Sequence, residues 1–237
     1  MTKRNSLSSS KNQGTNQEVF CGIDEAGRGP VLGPMVICGV CFLKSKLGFL
    51  TEIGVKDSKK LSTKRRSELA KIIKENCKTY QAKVIGAQEI DEREKKKITL
   101  NRLEELKMAE IINELKPDVI YLDAADVIED RFKTSIQALL NYSPKKIISK
   151  HKADDLYPIV SASSIIAKDM RDRLIEGFKQ KYGDFGSGYP SDARSTTFLR
   201  EWIRKNKKAP PIARKSWETT KKIIREELYS KKITDFV

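Results

Sequence analysis

Ile23-Asp24-Glu25-Ala26-Gly27-Arg28-Gly29-Pro30 closes a short apolar run that begins at Val19, and it turns the chain sharply. The apolar run is typical of a buried strand, and two adjacent carboxylates stand where that strand ends. Carboxylates in this position can hold a hard divalent cation through oxygen. Two glycines around an arginine can bring backbone N–H groups and a guanidinium close to a phosphate or a sugar. Metal and phosphate chemistry together indicate an enzyme that acts on nucleic acid.

The charge of the whole chain favours a polyanionic partner. Its 237 residues include 47 Lys and Arg against 32 Asp and Glu, which gives a formal net charge of +15. This excess suits DNA, RNA, a ribosome or an anionic membrane surface, and charge alone does not choose among them. A soluble basic protein without a nucleic-acid role remains an alternative at this point.

Membrane and secretion signals are not visible in the sequence. No run of about 18 apolar residues predicts a spanning helix, and no apolar segment follows the first basic residues. Cys38 and Cys41 have the spacing of a zinc knuckle, but in a strand an odd separation places them on opposite faces. No second Cys pair or His cluster completes a site. We therefore expect Cys21, Cys38, Cys41 and Cys77 to be reduced and the protein to be cytoplasmic.

The apolar periodicity predicts strands first and helices later. Residues 1–17 are polar and are predicted to form a disordered tail. The runs 18–24 and 34–43 flank a Gly/Pro-rich turn and predict a β-hairpin. After a polar loop at 56–61, Ser62 is expected to cap a helix that reaches about Cys77. Further strands are predicted at 79–87, 119–122 and 145–149, and helices at 99–115, 129–140, 161–182, 191–206 and 215–229. This order predicts a mixed sheet with helices packed on it.

Two further acids stand at similar positions. Asp123 ends a central strand, as Asp24 does, and Asp154 lies just before a helix. Carboxylates at the ends of neighbouring strands converge in space. Three or four of them without supporting His or Cys select Mg²⁺ or Mn²⁺ over zinc, and two such ions about 3.5–4 Å apart perform in-line phosphodiester hydrolysis. A single Asp at a strand end is nevertheless more often a turn or cap residue, and the residues alone do not separate Asp123 from Asp126, or Asp154 from Asp155.

Five blocks of sequence extend these observations over most of the chain. They occupy residues 24–30, 55–61, 122–123, 152–172 and 186–192. In content and order they resemble ribonuclease HII, the type 2 ribonuclease H, across roughly residues 18–220. Five ordered blocks are far more specific than one Asp-Glu pair. The form Gly186-Ser187-Gly188-Tyr189-Pro190, with Arg214-Lys215-Ser216-Trp217 near the end, is more similar to archaeal or eukaryotic members than to bacterial ones.

The resemblance implies an α/β fold, namely a ribonuclease H-like mixed five-stranded sheet flanked by helices with a C-terminal helical part. It implies a catalytic domain at 18–182 and a helical substrate-binding part at 183–229. The implied activity is hydrolysis of the RNA strand of RNA–DNA hybrids, and incision 5′ to single ribonucleotides in duplex DNA, which leaves 3′-hydroxyl and 5′-phosphate ends. By position, Asp24, Glu25, Asp123 and Asp154 become the catalytic, metal-binding acids.

The resemblance also assigns contacts to the substrate. Gly27, Arg28 and Gly29, with Tyr189, match the family's sensor for the RNA-to-DNA junction. A 2′-hydroxyl is both donor and acceptor, and glycine backbone can approach it without a Cβ clash. Three lysines, Lys59, Lys152 and Lys168, are expected to contact phosphates, which position a duplex.

Two departures from the family pattern stand near these blocks. Ala193-Arg194-Ser195-Thr196 replaces a common Pro-Lys-Thr, which puts phosphate contacts there in doubt. Asp169 occupies a place that is usually apolar, and its charge is expected either to face solvent or to tune the site. Neither departure touches the four acids.

The last eight residues, 230–237, resemble a sliding-clamp-binding peptide. One turn of helix would put Ile233, Phe236 and Val237 on one side as anchors for a groove. The usual leading Gln is Ser230 here, and Val replaces the terminal aromatic residue, so a frayed tail is the alternative.

Three readings of function remain for comparison. The first is the metal-dependent hybrid nuclease, expected to act as a monomer with no membrane partner. The second is a non-catalytic hybrid-binding module on the same fold, which would require loss of one or more acids. The third is the sister family ribonuclease HIII, which the Gly-Arg-Gly turn and the lack of a long N-terminal domain disfavour.

Overall fold

The fold centres on one mixed five-stranded sheet. A computed structural model describes residues 17–55 and 61–229. The strands lie in the order β3-β2-β1-β4-β5. β1 pairs antiparallel with β2, which pairs antiparallel with β3, whereas β1–β4 and β4–β5 are parallel. The strands are β1 Val19–Ala26, β2 Met35–Leu43, β3 Thr79–Ile85, β4 Val119–Asp123 and β5 Lys146–Lys150.

Helices cover both faces of this sheet and form the C-terminal third. A short 3₁₀ helix, Lys44–Lys46, precedes the first of them. In chain order they are α1 Leu47–Glu52, α2 Thr63–Asn76, α3 Ala87–Lys95, α4 Leu100–Leu115, α5 Glu129–Gln137, α6 Ala153–Leu156, α7 Pro158–Tyr182, α8 Ala193–Asn206 and α9 Glu218–Leu228.

Most predicted elements are confirmed within a few residues. The hairpin forms with Cys21 opposite Cys41, and the Ser62 side chain caps α2 by accepting from the Arg65 N–H. The predicted strand at 79–87 ends early, at Ile85, and the sequence prediction missed the helices α1, α3 and α6. All three are short and bury one or two side chains each, so they carry little apolar periodicity.

The two faces of the sheet have separate apolar cores. On one face, β1 and β2 pack against α2 and α7, with Cys38 and Val40 in the core. On the other face they pack against α4 and α5, with Cys21 and Cys41 in the core. Cys38 and Cys41 therefore lie on opposite faces, as their spacing predicted, and all four cysteines are unpaired with one another.

Helix α7 approaches β1 closely at a glycine. A Cβ on Gly22 would lie 2.2 Å from the carbonyl oxygen of Ile159, so no larger residue fits there without a shift. The Ser163 hydroxyl, itself fully buried, donates to the Gly22 carbonyl at 2.6 Å. This contact fixes the start of α7, and with it α6, beside the end of β1.

A third apolar cluster joins the C-terminal helices to the loop after β1. Ile203 of α8 and Ile223 of α9 pack with Val31 and Leu32 of that loop. In the part of the chain that the structure describes, no helix is both long and apolar enough to cross a membrane. The predicted tail at 1–17, except residue 17, the polar loop at 56–60 and the clamp-like peptide at 230–237 lie outside the described residues.

Candidate active site

Two of the predicted acids lie side by side near the ends of neighbouring strands. Ile23 and Leu122 are register partners of the parallel β1–β4 pair, and each directly precedes an acid. Both belong to the apolar core on the α4 face. Because side chains alternate along a strand, the next residues, Asp24 and Asp123, face the α7 side. Glu25, one residue further, is directed to the α4 side.

The surroundings of Asp123 and Asp126, and of Asp154 and Asp155, differ. Asp126 is buried and bound to Arg131, whose Nε donates to Oδ2 at 2.8 Å, so its carboxylate serves the loop after β4. Asp123 instead accepts the Ala153 N–H at 2.9 Å, which ties the end of β4 to the start of α6. On α6, Asp154 is buried and Asp155 is exposed. The assignment of Asp123 and Asp154 as site acids stays a prediction, and Asp126 has a partner of its own in Arg131.

The carboxylates at the end of β1 lie in a site that disfavours their negative charge. Burial raises the pKa of Asp24 well above its usual range, and the charges of Glu25 and Asp123 raise it further. The nearby Ser164 hydroxyl and the charge of Lys168 act in the opposite direction. Burial, and then the charges of Glu104 and Asp123, raise the pKa of Glu25 to about 8. Added positive charge at this place would stabilise the ionised acids.

The donor atoms fit a hard divalent cation in kind and in charge. Carboxylate oxygens are the ligands of Mg²⁺ and Mn²⁺, and the buried Glu25 Oε2 has no hydrogen-bond partner within the described ranges. Within the same ranges no group of three or more His, Cys, Asp or Glu side chains is gathered tightly enough to hold a metal ion. Strand alternation separates Glu25 from Asp24 and Asp123. Binding a cation would require these side chains to draw together.

One buried arginine binds the turn after Glu25 from the interior of the protein. Arg214 has no exposed surface, and its guanidinium donates to the carbonyls of Gly27 at 2.5 Å, Arg28 at 2.7 Å and Gly33 at 3.0 Å. In a trans peptide the N–H points opposite to the C=O. The N–H groups of Arg28 and Gly29 are therefore directed away from the interior that Arg214 occupies.

Arg214 is in turn held by an aromatic ring and a helix. The Trp217 ring lies 4.9 Å from the guanidinium carbon of Arg214 and 4.9 Å from that of Arg93 on α3. Asp91, also on α3, accepts the backbone N–H groups of Lys215 at 2.8 Å and of Ser216 at 2.9 Å. Burial lowers the pKa of Arg214 to about 9.

The Arg28 side chain is engaged by α4. Its Nη1 forms an ion pair with Glu104, and its Nη2 donates to Asn101 Oδ1 at 2.5 Å. Glu104 is fully buried, and burial raises its pKa to about 7 against the lowering effect of Arg28. In this structure the guanidinium of the turn is thus bound within the protein, and sequence reasoning missed its partner because a glutamate inside an amphipathic helix resembles a surface residue.

A cleft of about 370 Å³ joins the turn to the loop before α8. It is lined by Glu25, Ala26, Gly27, Arg28, Gly29, Arg66, Lys168, Arg171, Asp172 and Tyr189. Gly27 has φ +87°, and a Cβ there would lie 2.3 Å from Arg171 Nε, so the turn requires glycine. A Cβ on Gly29 would lie 3.5 Å from the Tyr189 ring, which shows that the ring faces the turn. The predicted sensor residues therefore share one cleft.

Two arginines of this cleft were not predicted. The guanidinium carbon of Arg171 lies 5.5 Å from the centre of the Tyr189 ring, and Arg66 forms an ion pair with Asp172. Arg171 stands within a block that resembles the family, and this could have marked it. Arg66 stands in a run of basic residues on α2 that carries no such signal.

The three predicted phosphate contacts have different placements. Lys168 lines the cleft. Lys152 is exposed and has φ +54° directly before α6, at the acid end of the sheet. Lys59 lies outside the described residues.

Both departures from the family pattern are structural in this fold. Asp169 does not face solvent, because it is buried and pairs with Arg173 at 3.1 Å and Lys74 at 3.9 Å. Ser195 is also buried, and its hydroxyl donates to the Phe185 carbonyl and accepts the Gly188 N–H. Ser195 thereby supports the loop that carries Tyr189.

A mixed sheet with acids at the ends of its two central strands defines a ribonuclease H-type enzyme. The family described as Ribonuclease HII matches residues 21–220. The chain belongs to the ribonuclease HII family, as the sequence blocks predicted, and not to ribonuclease HIII.

Individual relatives agree with this family. A ribonuclease HII of Thermococcus onnurineus is 51% identical over 206 residues, which cover 86% of this chain and 89% of the relative. The crystal structure of ribonuclease H2 from Pyrococcus horikoshii OT3 is similar with a TM-score of 0.85 and 44% identity, covering 90% of this chain and all of that one. The PCNA:RNase HII complex from Archaeoglobus fulgidus matches with a TM-score of 0.79 and 40% identity, covering 92% and 100%.

Family membership establishes the general activity. The chain is a metal-dependent ribonuclease H enzyme, which hydrolyses the RNA strand of RNA–DNA hybrids. The alternative of a basic protein without a nucleic-acid role is thereby excluded.

Proposed function

We propose that this enzyme also incises duplex DNA on the 5′ side of a single embedded ribonucleotide, leaving 3′-hydroxyl and 5′-phosphate ends. The observation that carries the proposal is the shared cleft, in which Glu25 and the turn 27–29 face Tyr189. Two of the proposed acids, Asp24 and Glu25, and the turn of the proposed junction sensor would then be parts of one continuous strand and turn.

The turn has the groups that recognition of one ribonucleotide requires. The N–H groups of Arg28 and Gly29, oriented by the carbonyl bonds to Arg214, can donate to a 2′-hydroxyl or its phosphate. The Tyr189 ring, supported by Arg171, can stack on the next sugar and disfavour a second 2′-hydroxyl there. Lys168 and Lys152, and Lys59 in the undescribed loop, would hold phosphates and so place the scissile bond.

Asp24, Glu25, Asp123 and Asp154 are proposed as the acids that hold Mg²⁺ or Mn²⁺. A pair of such cations, when bound, supplies activation of the attacking water and stabilisation of the leaving oxygen in an in-line displacement. The chain's own part is to hold the acids, the junction and the phosphates in fixed relation. The helical part at 183–229 contributes by carrying Tyr189 on a loop braced by Ser195.

A cleavage assay on three labelled duplexes tests the proposal. The substrates are an all-DNA duplex, a duplex with one embedded ribonucleotide and a continuous RNA–DNA hybrid, each with Mg²⁺, with Mn²⁺ and with chelator. We expect one cut 5′ to the single ribonucleotide, no cut in all-DNA and no reaction in chelator. Cleavage of the hybrid without incision of the embedded ribonucleotide would contradict the proposal. Hybrid binding without any cleavage would favour the non-catalytic module.

We also propose a sliding clamp as partner of the C-terminal peptide, with Ile233, Phe236 and Val237 as anchors. The support is the sequence pattern of residues 230–237 and the solved complex of PCNA with the relative from Archaeoglobus fulgidus. Pull-down with the cognate clamp is expected to succeed with the full chain and fail when 230–237 are deleted. A double variant, Ile233→Ala with Phe236→Ala, should fail as well, whereas Lys232→Ala should bind. Unchanged binding after the deletion would refute the assignment.

A further inference from the structure

A fully buried carboxylate lies beside the site without belonging to the predicted acids. Glu104 of α4 has no exposed surface, and its Oε1 has no hydrogen-bond partner in the described part of the chain. A buried carboxylate is costly for the fold unless a positive group is held against it. The neighbouring Glu105 is also buried, but it serves Arg102 and Ser135 at 2.9 and 2.6 Å, between α4 and α5. The contacts of Glu105 therefore do not account for the burial of the Glu104 carboxylate.

The positive group held against Glu104 is the side chain of the turn. Arg28 forms an ion pair with Glu104 Oε2 and a hydrogen bond of 2.5 Å with Asn101, so α4 binds both terminal nitrogens of its guanidinium. Charge-assisted hydrogen bonds of this kind are stronger and more directional than neutral ones. The side-chain direction of Arg28 is fixed by α4 and not by the loop itself.

Arg28 has a second carboxylate within electrostatic reach. Glu25 is affected both by the positive charge of Arg28 and by the negative charge of Glu104. In the structure the hydrogen bonds of Arg28 go to Glu104 and Asn101. The pairing with Glu104 thus keeps the guanidinium on α4 and leaves the charge of Glu25 to other partners.

Both the backbone carbonyl and the side chain of Arg28 are therefore bound. Its carbonyl accepts from Arg214 at 2.7 Å, and its side chain is bound by Glu104. The N–H groups of Arg28 and Gly29, which face away from the interior, belong to the peptide units that these contacts hold. We propose that Glu104 is a positioning residue, which sets the Gly27–Gly29 turn for the RNA-to-DNA junction by binding Arg28. This inference rests on the proposed incision at single ribonucleotides.

The test compares two substrates, a duplex with one embedded ribonucleotide and a continuous hybrid, under single-turnover and steady-state conditions. Glu104→Ala should lower the ratio of incision to hybrid cleavage about tenfold, since small misplacement of a positioned group slows the reaction strongly. The loss should fall on kcat, because other phosphate contacts still bind the duplex. Glu104→Gln keeps an acceptor for Arg28 and should lose about threefold. Rates are compared at saturating metal, because the charge of Glu104 also acts on Glu25, one of the proposed metal-binding acids.

Glu105→Gln is the matched control, because it alters the adjacent buried glutamate whose partners lie away from the cleft. It should leave the substrate ratio unchanged even if the melting temperature falls. In an Arg28→Ala background, Glu104→Ala should cause no further change in the ratio, as expected for two residues that act as one unit. Melting temperatures verify that each variant is folded, and Glu104→Gln carries the test if the alanine variant is not.

Two results in the Glu104 variants would overturn the inference: an unchanged ratio, or an equal loss on both substrates. Failure of the wild-type enzyme to incise at the embedded ribonucleotide is a different outcome. It would refute the proposed function first and this inference with it, whereas the two variant results leave the proposed function standing.

Discussion

The acids at the end of β1 and the turn that follows them are adjacent in sequence but opposite in energetic character. The carbonyls of Gly27 and Arg28 each have a buried donor, so the interior side of the turn is satisfied. Asp24 and Glu25 are crowded by other carboxylates, and burial and like charge raise the pKa of both. Within eight residues the chain passes from two acids with unbalanced negative charge to a turn whose carbonyls are bound by a buried donor.

This contrast indicates two distinct tasks. A site with unbalanced negative charge gains stability when it binds a cation, so its strain is relieved only in the loaded enzyme. A turn whose carbonyls are bound by a buried arginine keeps its shape whether or not a substrate is present, which reduces the cost of recognition. The acids are suited to bind metal, and the turn is suited to serve as a rigid template.

Asp24→Asn should have the largest effect on activity. We expect the cleavage rate to fall on the order of 10³-fold or more, because one of the acids proposed to hold the cation is lost. Hybrid binding, measured by fluorescence anisotropy, should persist, because the basic surface is intact. The melting temperature of the metal-free protein should stay equal or rise, because a buried group that disfavours its own charge becomes neutral.

Asp126→Asn is the control for that substitution. Asp126 is buried as well, but Arg131 binds it outside the cleft. This variant should keep wild-type cleavage while losing some stability. If Asp24→Asn cleaves at the wild-type rate, or if the two variants behave alike, the separation between acid site and supporting structure is wrong.

Arg214→Ala should have the largest effect on stability. Three carbonyls would be left buried without their donor, and at about 1–3 kcal/mol for each such group we expect a loss of about 3 kcal/mol or more in the free energy of unfolding. Arg93→Ala removes the other guanidinium that packs on Trp217 but none of those carbonyl bonds, and should cost about 1 kcal/mol or less. Urea denaturation of the two variants measures both values. Equal losses would show that the Trp217 contacts, and not the turn, depend on Arg214.

Much of this fold could be predicted because its strands and long helices carry strong local signals. The hairpin of β1 and β2, the cap at Ser62 and the strand ending at Asp123 all follow from apolar runs and a capping residue. Helix α3 was missed because Ala87 and Ile90 are its only buried residues in the structure, too few to make a periodic pattern. Its role is to supply Asp91 and Arg93 to the segment around Trp217, which only the tertiary structure reveals.

The candidate site also has a part that the sequence could predict and a part that it could not. Motif order predicted roles for the residues at 24–29 and for Tyr189, and the cleft brings Glu25, the turn and Tyr189 together. The partners that fix them could not be predicted, since Arg28 and Glu104 are 76 residues apart and Arg214 lies 187 residues from Gly27. Nor could the motif show that Glu25 points to the other face from Asp24 in this structure, because that depends on where the strand ends.

Tyr189→Ala should have a smaller and selective effect. Loss of the ring should weaken incision at a single ribonucleotide about tenfold, since stacking on a nucleotide contributes on the order of 1–3 kcal/mol. Cleavage of long hybrids should change less, because they present a ribonucleotide at every position. Tyr189→Phe keeps the ring and should behave nearly as wild type. Equal losses on both substrates would argue against a role at the junction.

The smallest predicted effect is on the pH dependence of stability in chelator. The pKa of Glu25 is raised to about 8 in the folded protein. Below about pH 4.5 the carboxyl is protonated in the folded and unfolded states alike. Between there and pH 8 the unfolded chain releases the proton while the folded protein retains it, so stability falls as pH rises.

The melting temperature of the metal-free enzyme should therefore drop by a few degrees between pH 5.5 and 8. Carboxyls with lowered pKa, such as Asp192, are already ionised in this window and contribute no slope. Mg²⁺ should raise the melting temperature more at pH 8 than at pH 5.5, because it replaces the lost proton as the balancing charge. Glu25→Gln should make the metal-free profile shallower, with the remaining slope due to Asp24 and Glu104, whose pKa values are also raised. Glu176→Gln, at an exposed position on α7, should leave the profile unchanged. A metal-free melting temperature that rises with pH would mean that the acid site is balanced by the protein itself, and the contrast with the turn would disappear.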